Sequence, residues 1–491
     1  MGTMRFRVFP PERITAEMIQ QAYLAGIDRV SWPVRASVEG GELVLQRSVS
    51  DSANLHIPWW VEAHGLLTLA SPSLIERAEP YHLPLELARG TVVQVRNQLS
   101  DWQVIGLAVP EAVHGRLATA VKRLSWAAVE QEDAAASAAH AEASLRAALE
   151  AANLLAAAYA EQAIVVRRRH EGAHFGLLAG DLTTTLLDDQ TARQFLRSFN
   201  AAELPICWRE TETTEGHMTW VVNDKQVDWC HKHGLKILAG PLLLLAPQAL
   251  PDWLLLFEDD FESVLECAST FIRAAVERYR GKVDYWICAG RVNAAEMLAL
   301  SEHERLRLVA RTVELIRSLD PDTPALVSFD QPWAEYMRQQ HSDFPALQFA
   351  DALVRAGLDL GGLMMEINVS HQPGGTLPRH ILELSRQLDE WGRLGLPLWL
   401  AVSAPSADHD DPLAQRRTAM PPGGWTPLAQ QRWAARFVPS ALAKRSVRGV
   451  IWNQLCDSKP HDFPHAGLFD AEGQAKPVLR TLAAIRKTRL S

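Results

Sequence analysis

The chain has 491 residues, long for one domain, so two or three folding units are expected. Its 47% hydrophobic and 22% charged residues are those of an ordinary globular protein, and a net charge of −9 without a long basic run argues against a nucleic-acid platform. The opening MGTMRFRVFPPERI has no apolar h-region, no run of about 18 apolar residues occurs, and Cys207, Cys230, Cys267, Cys288 and Cys456 form no Cys-x-x-Cys pair; neither a secretory signal nor a membrane span is expected, and the thiols read as reduced in a cytoplasmic protein.

Residues 1–108 alternate short apolar runs with turn signals, and Gly40-Gly41 between two of them predicts a hairpin in a small, mostly β module that ends in a helical stretch near LELARGTVVQVRNQLSDWQ. Residues 109–170 change character. The Ala-rich AAASAAHAEASLRAALEAANLLAAAYAEQ, with apolar spacing of three and four, predicts one or two long helices packed on a neighbour. From 171 to 491, apolar runs alternate with amphipathic stretches. The strand candidates are FGLLAG, LPICWRE, GLKILAG, VDYWICAG, ALVSFD, GLMMEINV, PLWLAVSA and RGVIWNQL, with helices such as FESVLECASTFIRAAVERY between them. Eight such alternations predict an α/β fold, a (β/α)8 TIM barrel, with functional residues at the C-terminal ends of its strands.

The stretch FNAAELPICWRETETTEGHMTW, Phe199 to Trp220, resembles the segment that opens the sugar cleft in family 10 glycoside hydrolases, the endo-xylanase-type barrels. Phe199, Asn200, Glu203, Trp208, Glu212 and Gly216 fall on that pattern, whereas Leu204 and Cys207 stand where the family carries its cleft Asn and Lys. YRGKVDYW resembles the approach to the fourth strand, and by that register Arg291 occupies the acid/base position. GLPLWLAVSAP resembles the seventh strand and puts Val402 at the nucleophile. RGVIWNQLCD resembles the eighth and makes Trp452 a sugar-facing ring. The resemblance also places Asp330 at the end of the fifth strand, and Glu366 and Asn368 on the sixth, where members carry Gln and His. It implies a xylanase-like barrel whose ordinary chemistry is absent, since Arg keeps its proton at any working pH and Val has no nucleophilic atom.

Three readings follow. The barrel has lost retaining hydrolysis and binds carbohydrate or serves as a scaffold, with Glu203, Trp208, Arg291, Asp330, Glu366, Asn368 and Trp452 as the candidate ligand-binding set. Alternatively, it is a glycosidase or transglycosidase with relocated carboxylates, Glu366 acting with Asp330 or Glu203. A third reading is a protein-interaction platform. Arg291 is expected to pair with Glu366 or Asp330, because a buried charge needs a partner. The expected partner is an oligosaccharide, with no nucleic acid and no membrane; the sequence carries no signal for an oligomeric state. No cofactor is expected: Walker, dinucleotide and G-x-S-x-G motifs do not occur. His170-Glu171-Gly172-Ala173-His174 matches H-E-x-x-H, but Gly172 interrupts the helix that zinc ligation needs, so no metal is expected. Trp59-Trp60 reads as one ring in the core and one at a domain contact rather than a sugar platform.

Overall fold

The structure is a computed structural model that describes residues 2–172, 175–294, 297–338, 344–372, 374–418 and 424–490. Its first 82 residues form two four-stranded sheets. In one, Arg35–Glu39 and Glu42–Arg47 pair antiparallel across Gly40 and Gly41, whose φ of 58° and 83° supply the left-handed backbone of a two-residue hairpin turn. The other runs Ser31–Trp32, Tyr23–Ala25, Asn54–Val61, Gly65–Ala70. Phe6, Leu24, Leu45, Ile57 and Leu69 share the core between the sheets. Trp59 joins them and donates its Nε1 proton to Glu142, 2.8 Å away, while Trp60 is half exposed.

Three helices follow: α1 (Leu83–Val104), α2 (Glu111–Val129) and α3 (Ala134–Glu171). Asp133 caps α3 by accepting from the backbone N–H groups of Ala135 and Ala136. Alanine lets α2 and α3 approach closely enough for the Ser137 and Ser144 hydroxyls to reach the carbonyls of Ala127 and Ala120. By length and composition α3 would be long and apolar enough to cross a membrane. Its Ala and Leu face packs on α1, α2 and two outer helices of the barrel, Ile381–Gly392 and Pro427–Leu442. The helix stops at Gly172 with φ 86°, and Ala173 and His174 of the H-E-x-x-H match lie outside the described residues. Glu171 accepts from Arg167 and Arg448.

Eight parallel strands then alternate with helices: β1 (Leu177–Asp181), β2 (Ala201–Leu204), β3 (Lys236–Ala239), β4 (Tyr285–Gly290), β5 (Ala325–Asp330), β6 (Gly362–Asn368), β7 (Leu398–Ser403) and β8 (Val447–Trp452). β1 pairs with β8, and β3 pairs back on β4 through Leu238–Tyr285 and Ala239–Trp286, which closes the (β/α)8 barrel. One expected strand is displaced. LPICWRE is not β2; the strand is the preceding Ala201–Leu204, and Trp208–Thr211 is a helical turn. Pro205 explains the end, because it has no N–H to continue the ladder.

Inside the barrel lie Ala179, Ala201, Leu238, Ile287, Leu326, Met364, Trp399, Ala401 and Ile451. The Trp399 ring fits because Gly449 has no side chain; a Cβ there would stand 2.3 Å from it. Alternate residues face the helix layer, as strand geometry requires.

The N-terminal sheets are tied to the loops after β5 and β6. Arg379 and Glu335, both fully buried, pair at 2.9 Å, and Arg379 also donates to the Tyr23 hydroxyl. The Ser31 hydroxyl donates to Ala334 O, and Thr68 N–H to Pro378 O.

Candidate functional site

Inward positions at the C-terminal ends of the strands define the site. On β1 and β2 these are Asp181 and Glu203, which are register partners on neighbouring strands. The two carboxyls therefore crowd each other. Burial pushes Asp181 up to about 7, with the Thr183 N–H opposing and Asp462 adding to the rise. Burial, Asp181 and Glu366 together hold Glu203 well above the usual carboxylate range, against Arg291. Its Oε2 is buried with no hydrogen-bond partner among the described residues.

A stability prediction follows from the sign of these shifts. The folded state keeps protons on both groups that the unfolded chain releases near pH 4. Stability is therefore expected to fall as pH rises from about 4 through about 7. Glu203→Gln and Asp181→Asn should each stabilise the fold at pH 8, by about 1–3 kcal/mol, and change little at pH 3.5. Urea unfolding at both pH values measures this, and a loss of stability at pH 8 would contradict it.

Arg291 follows β4, where a register shift between Ile287 and Ala289 and a left-handed φ of 56° turn the chain into the mouth. Its Nε donates to Glu366 Oε2 at 2.9 Å and its Nη1 to Asp462 Oδ2 at 2.8 Å. Burial opposes its charge, but Glu366, Asp462 and Asp330 outweigh burial and hold the guanidinium in its charged form. Glu366 is further fixed by the Ser328 hydroxyl on Oε1 and by Asn368 Nδ2 on Oε2. Asn368 in turn accepts from Ser403 and Asn453. The expected pairing partner Glu366 is thus present, and Asp462, from the loop after β8, is a second that sequence reasoning did not find.

Asp330 is buried beside this network, accepts from the Gln331 N–H, and is pushed up to about 7, first by burial and then by Glu366. It does not line the cavity described below.

Two expected site residues face elsewhere. Trp452 pairs with outward Val402 and turns into the helix layer, its Nε1 donating to Ala466 O and its ring edge-on to Trp433. Asn453, one residue later, faces the cavity. Val402 likewise packs outward, opposite Ile367; the inward residues of β7 are Ala401, opposite Glu366, and Ser403, opposite Asn368. The register read from sequence is off by one on that strand, and the corrected positions still hold no carboxylate. Trp208 reaches the cavity only in part, because its indole stacks on Phe271 and donates to Glu212.

The side chains enclose a cavity of about 380 Å³, with Asp181, Glu203, Arg291, Ser328 and Glu366 among its lining residues. Beside the loops after β2, β3 and β7 it adjoins a depression of about 660 Å³, sharing Glu210, Gln248 and Gln415 with it. A separate shallow depression beside Phe175, Pro397 and Arg448 lies at the opposite end of the barrel, where the strands begin. Among the described residues no group of three or more His, Cys, Asp or Glu is arranged to hold a metal ion.

No protein-family model matches the chain, and no curated protein matches it. Among solved structures the chain is similar to xylanase 10B from Thermotoga petrophila RKU-1 in complex with xylobiose, with a TM-score of 0.50 and 14% identity over 66% of this chain and 98% of that one. It is also similar to native xylanase 10B from Thermotoga maritima (TM-score 0.49, 14% identity, 66% and 98% covered) and to a GH10 xylanase from Thermobacillus composti (0.45, 20%, 63% and 97%). At that identity the likeness to the first of these speaks for fold alone: about two thirds of the chain is a barrel with the fold of the family 10 xylanases.

Proposed function

We propose that this protein binds a carbohydrate at the C-terminal mouth of its barrel and does not carry out retaining glycoside hydrolysis. The observation that carries this reading is the buried Arg291 held between Glu366 and Asp462. Retaining hydrolysis needs one carboxyl to protonate the leaving oxygen and a second, about 5–5.5 Å away, to attack the anomeric carbon. Arg291 lines the cavity with a group that cannot give up its proton, and the inward positions of β7 offer only Ala401 and Ser403. Glu366 is committed at both oxygens to Arg291, Ser328 and Asn368.

The cavity suits a hydroxyl-rich ligand. Its lining mixes donors and acceptors such as Thr183, Glu203, Asn453 and Lys459, and its volume of about 380 Å³ is at the small end of ligand pockets. The neutral Glu203 carboxyl can donate to one hydroxyl and accept from another. Because the Thermotoga petrophila xylanase carries xylobiose, xylo-oligosaccharides are the first ligands to titrate. Calorimetry is expected to show binding that weakens at least about tenfold in Glu203→Ala. Failure of every glycan on an array to bind would remove the reading.

One observation favours a second reading. Asp181 and Glu203 are adjacent carboxyls with raised proton affinity, the arrangement that general acid catalysis uses. In that reading the relocated pair is Asp181 with Glu203 rather than Glu366 with Asp330 or Glu203. Turnover lost in Glu203→Gln would select it. An open cavity gives the interaction-platform reading no support.

A further inference from the structure

Among the described residues the cavity continues into neighbouring depressions beside the loops after β1, β2, β3 and β7. On the β1–β3 side it continues past Glu210 and Gln248 toward Arg209 and Asp252. On the side of the β6 loop it is lined by Phe463. That ring lies against His371 of the β6 loop, centroids 4.5 Å apart, with the guanidinium groups of Arg291 and Arg416 at 5.3 and 5.9 Å. All four side chains are buried. Hydrogen bonds fix this wall: Arg416 N–H donates to Asp462 O, Phe463 N–H to the Gln454 side-chain Oε1, and a short ladder pairs His371 with Thr418 and Gln372 with Arg417.

The rim behind it is anchored as well. Loops are ordinarily the mobile part of a barrel mouth, but those after β5 and β6 are held by the N-terminal sheets through Arg379, Glu335 and Tyr23. Arg338 adds a bond to Gln21 O. A chain bound at its middle has to leave the site in two directions. Here the second direction is filled by Phe463 and His371.

We infer that the site takes the end of an oligosaccharide, with the terminal unit against Asp181, Glu203 and Arg291 and the remainder leaving over the β1–β3 loops. This rests on the carbohydrate reading above. It assigns the N-terminal module a role in specificity, as the support of the closed side.

Two singly tagged forms of xylohexaose, or of the best-bound array glycan, test this on the full chain. One carries a 2-aminobenzamide group at the reducing end, the other a benzyl ether on the terminal 4-hydroxyl of the non-reducing end. One form is expected to bind within about twofold of the untagged sugar and the other at least about tenfold more weakly. Equal affinity for the two tagged forms would overturn end recognition while leaving carbohydrate binding intact. Absence of binding to any glycan would remove both. In Phe463→Ala the excluded form should recover to within about threefold of the untagged sugar, and undiminished exclusion would show that this wall is not its cause.

Discussion

Arg291→Glu is expected to destabilise the fold by about 3–5 kcal/mol, because it removes the cation from the buried Glu366 and the partly buried Asp462 and adds a third negative group. Glu366 and Asp462 now share that guanidinium at 2.9 and 2.8 Å, and the Arg side chain is only 9% exposed. Water therefore has little access with which to rescue the unpaired charges. Urea unfolding at pH 7 measures the loss. The variant should not gain hydrolysis, since the inward positions of β7 still hold Ala401 and Ser403 rather than a nucleophilic carboxylate. A variant as stable as the parent would mean that the pair contributes nothing to the fold, and a ligand-binding Arg would then explain the residue better.

The second large effect is an absence of rate. Purified protein is expected to show negligible turnover of xylan and of aryl β-xylosides, because positioning alone leaves glycoside cleavage extremely slow. Reducing-sugar release and aryl-group absorbance over a day of incubation are the measurements. Turnover of about 1 s⁻¹ or more, abolished by Glu203→Gln or Glu366→Gln, would instead establish relocated carboxylates.

Much of the barrel was legible because each amphipathic helix and apolar strand run had its own periodicity; FESVLECASTFIRAAVERY forms the helix Phe261–Tyr279 almost as read. What sequence reasoning missed was mainly parity. On a strand, a shift of one residue exchanges the inward and outward faces. Val402 was read at the nucleophile position and Trp452 as a sugar-facing ring, but Ala401 and Ile451 fill the barrel interior and their successors turn to the helices. Asp181 was within reach of the same reasoning, being the residue just after FGLLAG and two beyond inward Ala179. Asp462 was not. It sits in an irregular loop whose only signal is three-dimensional, the arrival of a carboxylate at Arg291 from 171 residues away. The Arg379–Glu335–Tyr23 contact was equally hidden, since it joins the first sheets to loops more than 300 residues later. The Ala-rich segment did declare its helices, and its small side chains explain how α2 and α3 come close enough for serine hydroxyls to bond across.

The central claim is that the mouth holds sugar through a site organised by an ion-paired Arg291, without cleaving it. A crystal structure of the full chain soaked with xylohexaose, or with the best-bound glycan, tests that most directly. The account predicts an intact oligosaccharide whose terminal unit contacts Glu203 and Asp181, with Arg291 still bonded to Glu366 and Asp462. A sugar covalently attached to a carboxylate, a cleaved product in the cavity, or an Arg291 released from both partners would contradict it.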